Sequence, residues 1–413
     1  MNYELFLAKR ITTAKQYKSS ISSPIIKIAI TAIALGMIIM LITISSVFGL
    51  QYKIKEKISG FNGHIQITNY EDNNSQITIT PISIEQEFYP NFTNIEGVKN
   101  VQTFATKGGI IRTKTDFEGV IFKGVDSEYD WSFFKSYLTQ GELLSITNET
   151  SDFVLISKLT ADRLGLKVGD KFNLFFMKDS FDKVRTPNVR VFKIAGIYNS
   201  GFNEFDENFV LGDIKHIQRL NKWKSNEIGG FEVLLEDFDK LEEKGDEIYN
   251  EVTATLNAQT ISEKYPAIFD WLQILDTNII VIISIMILIA GINMITALLV
   301  LILERTQMIG VLKALGSSNW SIRKMFLYNA TYLIAIGLFW GNLIGIGLLL
   351  IQQYFGVVKL DPENYYVSEA PVYLGVEYII VLNIGTLILC LFMLLIPSYI
   401  VSKISPVKAI KFD

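Results

Sequence analysis

The sequence predicts an α-helical membrane protein with four transmembrane helices and a mixed α/β extracytoplasmic domain inserted between the first and second. Three observations lead there. Of 413 residues 49% are hydrophobic, with a mean hydropathy of +0.30. The apolar residues crowd both ends in continuous runs instead of spreading evenly, and nearly all the charge lies between them. The net charge of −4 is modest and contains no basic block of the kind that binds nucleic acid. The single cysteine, Cys390, falls in the last apolar run, so no disulfide braces the middle region.

The apolar runs cover residues 25–50, 274–303, 325–351 and 378–400. A helix crosses a hydrocarbon core of about 30 Å with roughly 20 residues, so each run is long enough. The second is longer than needed, and the first continues into 51–60 with Ile54 and Ile58 on one helical face. Both are therefore expected to project from the bilayer as a stalk. The first run is too long for a signal-peptide core and lacks an A-x-A site after it, so it is expected to be retained.

Orientation follows from Lys and Arg near the span ends. Lys9, Arg10, Lys15 and Lys18 face only Glu4 before the first run, and Arg305, Lys313, Arg323 and Lys324 face only Glu304 between the second and third. The tail carries Lys403, Lys408 and Lys411, whereas the loop between the third and fourth runs sets Lys359 against Asp361, Glu363 and Glu369. Residues 1–24, 304–324 and 401–413 are thus expected in the cytoplasm, with 51–270 and the short loop 352–377 outside, and spans at 25–50, 271–303, 325–351 and 378–400.

The span interiors hold little chemistry. The polar residues of the last three are Ser284, Asn293, Thr296, Asn342, Asn383 and Thr386, with no ionisable side chain, which argues against an ion-coupled carrier. Gly337, Gly341 and Gly345 recur every four residues, as do Ala32 and Gly36, and such faces serve close packing within the chain or between copies. No phosphate loop occurs in the sequence, so any ATPase is expected to be a separate polypeptide. His64 and His216 stand in unrelated segments without metal-ligand spacing, and no nucleophilic triad is visible. No catalytic or metal site is expected.

Directly after the second run stands ERTQMIGVLKALG (304–316), then SSNWSIRKMF (317–326) leading into the third. This strongly resembles the cytoplasmic signature of the FtsX-like permeases, ER-x-x-x-IG-x-L-[KR]-ALG followed by Ile. The tail, with Pro397 and then Ser405-Pro406-Val407-Lys408-Ala409-Ile410, is similar to the same family's ending, although Val401 or Ser402 stands where a small residue is usual. Gly316 is suited to end one helix in the left-handed conformation, and Ser317 or Ser318 to cap the next. A short surface helix is then expected after Gly316, offering Trp320 and Ile322 to a partner. The resemblance implies a coupling helix that docks on an ATPase, carried by Glu304, Arg305, Ile309, Gly310, Lys313, Leu315, Gly316, Trp320 and Ile322.

Residues 156–170, with their LGL-x-VGD run, and the DEN segment 205–210 followed by a helix at 213–220 resemble elements of the family's periplasmic domain. The loop 361–372 resembles the short external loop of LolC/LolE-type lipoprotein-releasing permeases, the branch this chain is most similar to. Residues 1–24 resemble the family's amphipathic N-terminal helix. The resemblance implies two α/β subdomains, lipoprotein cargo, a soluble lipoprotein carrier, a second permease copy or paralogue and a cytoplasmic ATPase dimer. ATP and Mg would be bound by that ATPase, with no cofactor in this chain. It also implies an inner-membrane location with a periplasmic domain. A hairpin at 178–188, with Phe181, Arg185 and Pro187, occupies the place of the family's carrier-binding loop; an ordinary solvated hairpin is the alternative. Export of peptides or amphiphiles in the MacB manner, or non-transporting signal transduction to an external partner, are the other functional readings.

Strands are expected at 63–68, 76–80, 109–113, 119–125, 172–177, 189–198 and 231–235, and helices at 157–164, 213–222 and 239–256. Residues 51–270 hold 25 Lys and Arg against 34 Asp and Glu, a net charge of −9 suited to solubility.

Overall fold

A computed structural model describes residues 3–4, 22–72, 80–176 and 187–405. The expected strand at 76–80 and most of the N-terminal helix, the 178–188 hairpin and the terminal motif lie outside the described residues. The chain forms two compact units. One comprises Tyr52–Trp271 and Leu360–Ser368; the other takes in the remaining described residues.

The first unit is built on a ten-stranded sheet. Its strands are β1 (Ile65–Asn69), β3 (Val98–Arg112), β4 (Phe117–Val125), β5 (Leu138–Gly141), β6 (Phe153–Ser157), β7 (Lys171–Phe176), β8 (Asn188–Tyr198), β9 (Phe209–Asp213), β11 (Gly230–Leu235) and β12 (Leu256–Thr260). A separate pair joins β2 (Ile82–Ser83) to β10 (Glu227–Ile228). The pairings β3–β4, β4–β9, β9–β6, β6–β8, β8–β7 and β7–β3 close on themselves, so six strands form a ring. Phe122, Phe176 and Phe192 are buried together among these strands. The other half of β3 carries an antiparallel wing, β3–β11–β1–β12, against which the helix Leu241–Glu251 packs.

Sequence periodicity missed β6, β9, β12 and the first half of β3. Of these, β6 and β9 are buried on both faces, so they lack the polar alternation that marks a half-buried strand. By contrast, β12 alternates in burial, but its Leu256–Thr260 residues are mostly small or polar. The helix expected at 239–256 stops at Glu251, because Val252 turns extended and the β-branched run that follows leads into β12.

One polar row crosses the wing. Gln66, Glu232 and Gln102 are direct cross-strand neighbours on β1, β11 and β3. Glu232, fully buried, accepts from Lys123 Nζ at 2.6 Å and Gln66 Nε2 at 3.2 Å through Oε1, and from Gln102 Nε2 at 3.0 Å through Oε2. Lys123 Nζ also donates to the carbonyl of Phe61 at 2.5 Å, beside Asn62 at the end of the first long helix. Lys264 reaches Gln66 Oε1, and Tyr265 donates to Asn62 Oδ1 at 3.1 Å, just before the second long helix begins at Pro266. Burial pulls the Lys123 ammonium pKa down against the opposing pull of Glu232, and brings Lys264 down to about 8. Phe61, Asn62 and Lys264, all within this unit, are thus linked to one buried carboxylate.

A second buried acid, Asp206, accepts from Ser200 Oγ at 2.6 Å and Gly201 N at 3.0 Å. Burial raises its carboxyl from 3.8 to about 6, against those hydrogen bonds and the charge of Lys57. Lys57 donates to the carbonyl of Tyr366 at 3.0 Å, and the Tyr366 ring stacks on Phe202 at 4.8 Å, so Leu360–Ser368 of the loop between the third and fourth long helices are part of this unit.

His64 and His216 serve packing. His64 Nδ1 accepts from Leu235 N at 2.9 Å, and burial lowers its pKa to about 4; His216 Nε2 lies 2.9 Å from the carbonyl of Ser151. Among the described residues no cluster of His, Cys, Asp or Glu could hold a metal ion.

The second unit contains four long apolar helices, Ser22–Asn62, Pro266–Glu304, Asn319–Phe355 and Val376–Ser398, of which the first two extend into the inserted unit. The first two measure about 60 Å at 1.5 Å per residue, twice a hydrocarbon core. Three of the four glycines of the third helix, Gly337, Gly341 and Gly345, face the first. A Cβ at Gly337 would stand 2.8 Å from Ile33 Cβ, one at Gly341 2.7 Å from Met37 Cβ and 2.9 Å from the Ala34 carbonyl, and one at Gly345 3.0 Å from Leu41 Cδ1. These glycines therefore serve intrachain packing. Gly36 instead approaches Met286 of the second helix at 3.9 Å, and Ala32 is half-buried, so Ala34 is the small residue opposite the glycines. Asn342 and Asn383 exchange reciprocal amide bonds of 2.7 and 3.0 Å between the third and fourth helices. Gln51 joins the first helix to the second through Asp276 Oδ1 at 2.8 Å and the Leu272 carbonyl at 3.1 Å.

Three outcomes follow from this packing. Gly341→Leu should lower stability by about 1–3 kcal/mol, whereas Gly347→Leu, where a Cβ meets nothing within 4 Å, should be near neutral in detergent thermal unfolding. Glu232→Gln leaves Lys123 buried beside a neutral amide and should cost about 3–5 kcal/mol, with partial recovery when Lys123→Met is added. The folded state holds the Asp206 proton more tightly than the unfolded chain. Its contribution is therefore complete below pH 4 and disappears as pH rises through about 6. Asp206→Asn should remove that slope, worth at most about 3 kcal/mol, from melting curves between pH 4 and 7.

Candidate coupling site

The second long helix ends at Glu304, and Arg305, with φ −101° and ψ 19°, breaks the helical run. A short helix, Thr306–Ala314, follows. It closes with a Schellman pattern: Gly316 N donates to Lys313 O and Ser317 N to Leu312 O, both at 3.0 Å. Gly316 has φ +93°, which a residue with a Cβ rarely adopts. Ser318 then caps the third long helix, its side chain accepting from Ser321 N at 3.2 Å.

This corrects the expected order. The short helix lies before Gly316, and from Asn319 the chain runs unbroken to Phe355, because no Gly or Pro interrupts it before Gly337. Trp320 and Ile322 therefore belong to the first turns of the third long helix.

The sequence-picked residues divide by burial. Leu315 is 78% exposed, and Trp320 and Glu304 are also exposed, as is Val311, which the sequence reading did not single out. Ile309, Gly310 and Ile322 are buried in the packing of the helices, so they shape the loop and are not available to plug a partner's groove. Arg305 is half-buried. Of the carrier-hairpin residues, Phe181 and Arg185 lie outside the described residues, and Pro187 is exposed just before β8.

Lys313 does not point at a partner. Its Nζ donates to the carbonyls of Val401 at 2.8 Å, Ser402 at 3.3 Å and Ile404 at 2.8 Å, using all three protons. Desolvation there lowers its pKa. Arg323 has the same destination: Nε donates to Ser398 Oγ at 3.1 Å and Nη2 to Leu395 O at 3.2 Å. Its guanidinium lies 5.2 Å from the Trp320 ring centre and 5.7 Å from that of Tyr399. Glu4 accepts from Ser321 Oγ at 2.6 Å, and this bond lowers its carboxyl pKa, with Lys324 adding to the effect.

Arg323 and Glu4 entered the sequence reading only as topology charges. The available signal was physical: the last carbonyls of an apolar helix need donors, and nearby cations supply them.

The arrangement leaves three large apolar side chains, Val311, Leu315 and Trp320, exposed on a loop whose Ile309, Gly310 and Ile322 are buried. Such an edge suits docking of another protein.

Known proteins share this plan. Residues 28–250, more than half the chain, match the MacB-like periplasmic core domain, and residues 280–406 match the FtsX-like permease C-terminal family. The lipoprotein-releasing system transmembrane protein LolC of Haemophilus influenzae is 22% identical over 422 residues, covering 100% of both chains. LolE of the same organism is 20% identical over 429 residues, covering 99% of both. LolC of Xylella fastidiosa (strain 9a5c) is 20% identical over 269 residues, 63% of this chain, and there the match spans 65% of the relative's length. With four long apolar helices and the core domain inserted between the first two, the chain belongs to the FtsX-like, MacB-type family of ABC transporter permeases.

Proposed function

We propose that this permease is of LolC/LolE type, the membrane subunit of an ATP-driven mechanotransmission complex that extracts lipoproteins from the inner membrane. The observation that carries the reading is the exposed edge of Val311, Leu315 and Trp320 on the loop between the second and third long helices. That edge occurs in a chain matched from end to end by LolC. The Lys and Arg distribution supports a cytoplasmic position for this loop and both termini, with the inserted domain in the periplasm.

In the proposed cycle a cytoplasmic ATPase dimer binds ATP and Mg, closes, and moves the loop. The first two helices, longer than a bilayer needs, carry the movement to the periplasmic domain. A lipoprotein held between this chain and a second permease copy or paralogue is displaced toward a soluble carrier. This chain supplies docking and leverage; the phosphoryl chemistry belongs to the partner.

The match to a MacB-like core domain favours one further reading, export of peptides or amphiphiles. Mass spectrometry of what copurifies from native membranes separates the two: acylated proteins support extraction, and unacylated peptides or small amphiphiles overturn it.

The docking edge has its own test. Leu315→Glu with Trp320→Ala should weaken ATPase copurification by at least about tenfold, as expected when a buried interface anchor is removed. Equal recovery of the ATPase with wild type and variant would rule the edge out.

A further inference from the structure

Two cations on opposite sides of Gly316 converge on one turn. Lys313 comes from the short helix and Arg323 from the third long helix, and both donate within residues 395–404 at the carboxyl end of the fourth. That turn has carbonyls in need of donors: Pro397 interrupts the helix from within, and the helix ends at Ser398 before the single turn Ile400–Lys403. The positive charges also oppose the negative end of the helix dipole. Gly316 alone would act as a hinge, with a positive φ and open space where a Cβ would be. Attaching both sides of that hinge to a third element removes the freedom to swing.

We propose that Lys313 and Arg323 are positioning residues that clamp the coupling loop to the end of the fourth long helix, so that loop and helix end move as one body. The inference rests on the coupling reading above and adds a route to it. A push on Leu315 reaches the fourth helix directly. It then passes to the third helix through the Asn342–Asn383 amide pair, and to the second where Met393 packs over Gly291. Lys313, expected from its motif to contact the ATPase, acts instead through the fourth helix.

The test uses the full chain with its partner ATPase in lipid nanodiscs. Spin labels are placed on Ala314→Cys and Ile396→Cys in a Cys390→Ala background, and their separation is measured by pulsed electron resonance. The expected result is one narrow distance distribution, unchanged between nucleotide-free and vanadate-trapped complexes. Lys313→Met should broaden it and make it shift on trapping, and Lys313→Arg should restore it. Arg323→Lys, which keeps the charge but loses the two-pronged contact, should broaden it to a lesser extent. A wild-type distance that changes on trapping, or a Lys313→Met distribution as narrow as wild type, would overturn the clamp. If no ATPase binds at all, the coupling reading fails, while the nucleotide-free comparison of wild type with Lys313→Met and Arg323→Lys still decides the clamp.

Discussion

The inserted domain is organised around the cost of burying Glu232. A carboxylate without water is tolerable only when its partners are in place, and here Lys123, Gln66 and Gln102 supply donors from three different strands. Because Gln66 and Gln102 stand directly across from Glu232, a slip of one residue would turn the row to the opposite face and strand the charge. The ion pair therefore specifies register. Through the Phe61 carbonyl and the Gln66–Lys264 contact, it also holds Phe61 and Lys264 within this unit.

Within the membrane helices a different physics applies. Lipid is as apolar as leucine, so association depends on close contact and on polar groups that have nowhere else to bond. Gly337, Gly341 and Gly345 allow the first and third helices to touch backbone to side chain, and the paired amides of Asn342 and Asn383 close the third against the fourth. Asn329 and Thr386 are buried without a side-chain hydrogen bond among the described residues. At the loop end, helix carbonyls and loop cations satisfy one another. That internal satisfaction leaves Val311, Leu315 and Trp320 exposed.

The readable parts of the sequence were those with strong local causes. Four apolar runs announce four long helices because bilayer thickness imposes length and composition together. Gly316 and Ser318 announce a helix stop and start because few residues suit those backbone positions. Buried strands such as β6 and β9 were not readable, since a short apolar run lacks a period when both faces are covered. The surface helix was assigned to the wrong side of Gly316 because motif matching gives an order of residues and not the point at which helical hydrogen bonding resumes.

The sequence by itself determined that this chain crosses a membrane, where its long helices lie, that a mixed α/β domain interrupts them, and which loop carries the family signature. Those properties rest on composition, chain spacing and local backbone preference. Only the tertiary structure decided what the named residues do. It buried Ile309, Gly310 and Ile322, assigned the three glycines to the first helix, and committed Lys313 to carbonyls 88 to 91 residues away. A cation or a glycine has the same local signature whichever neighbour it meets, and long-range packing alone selects that neighbour.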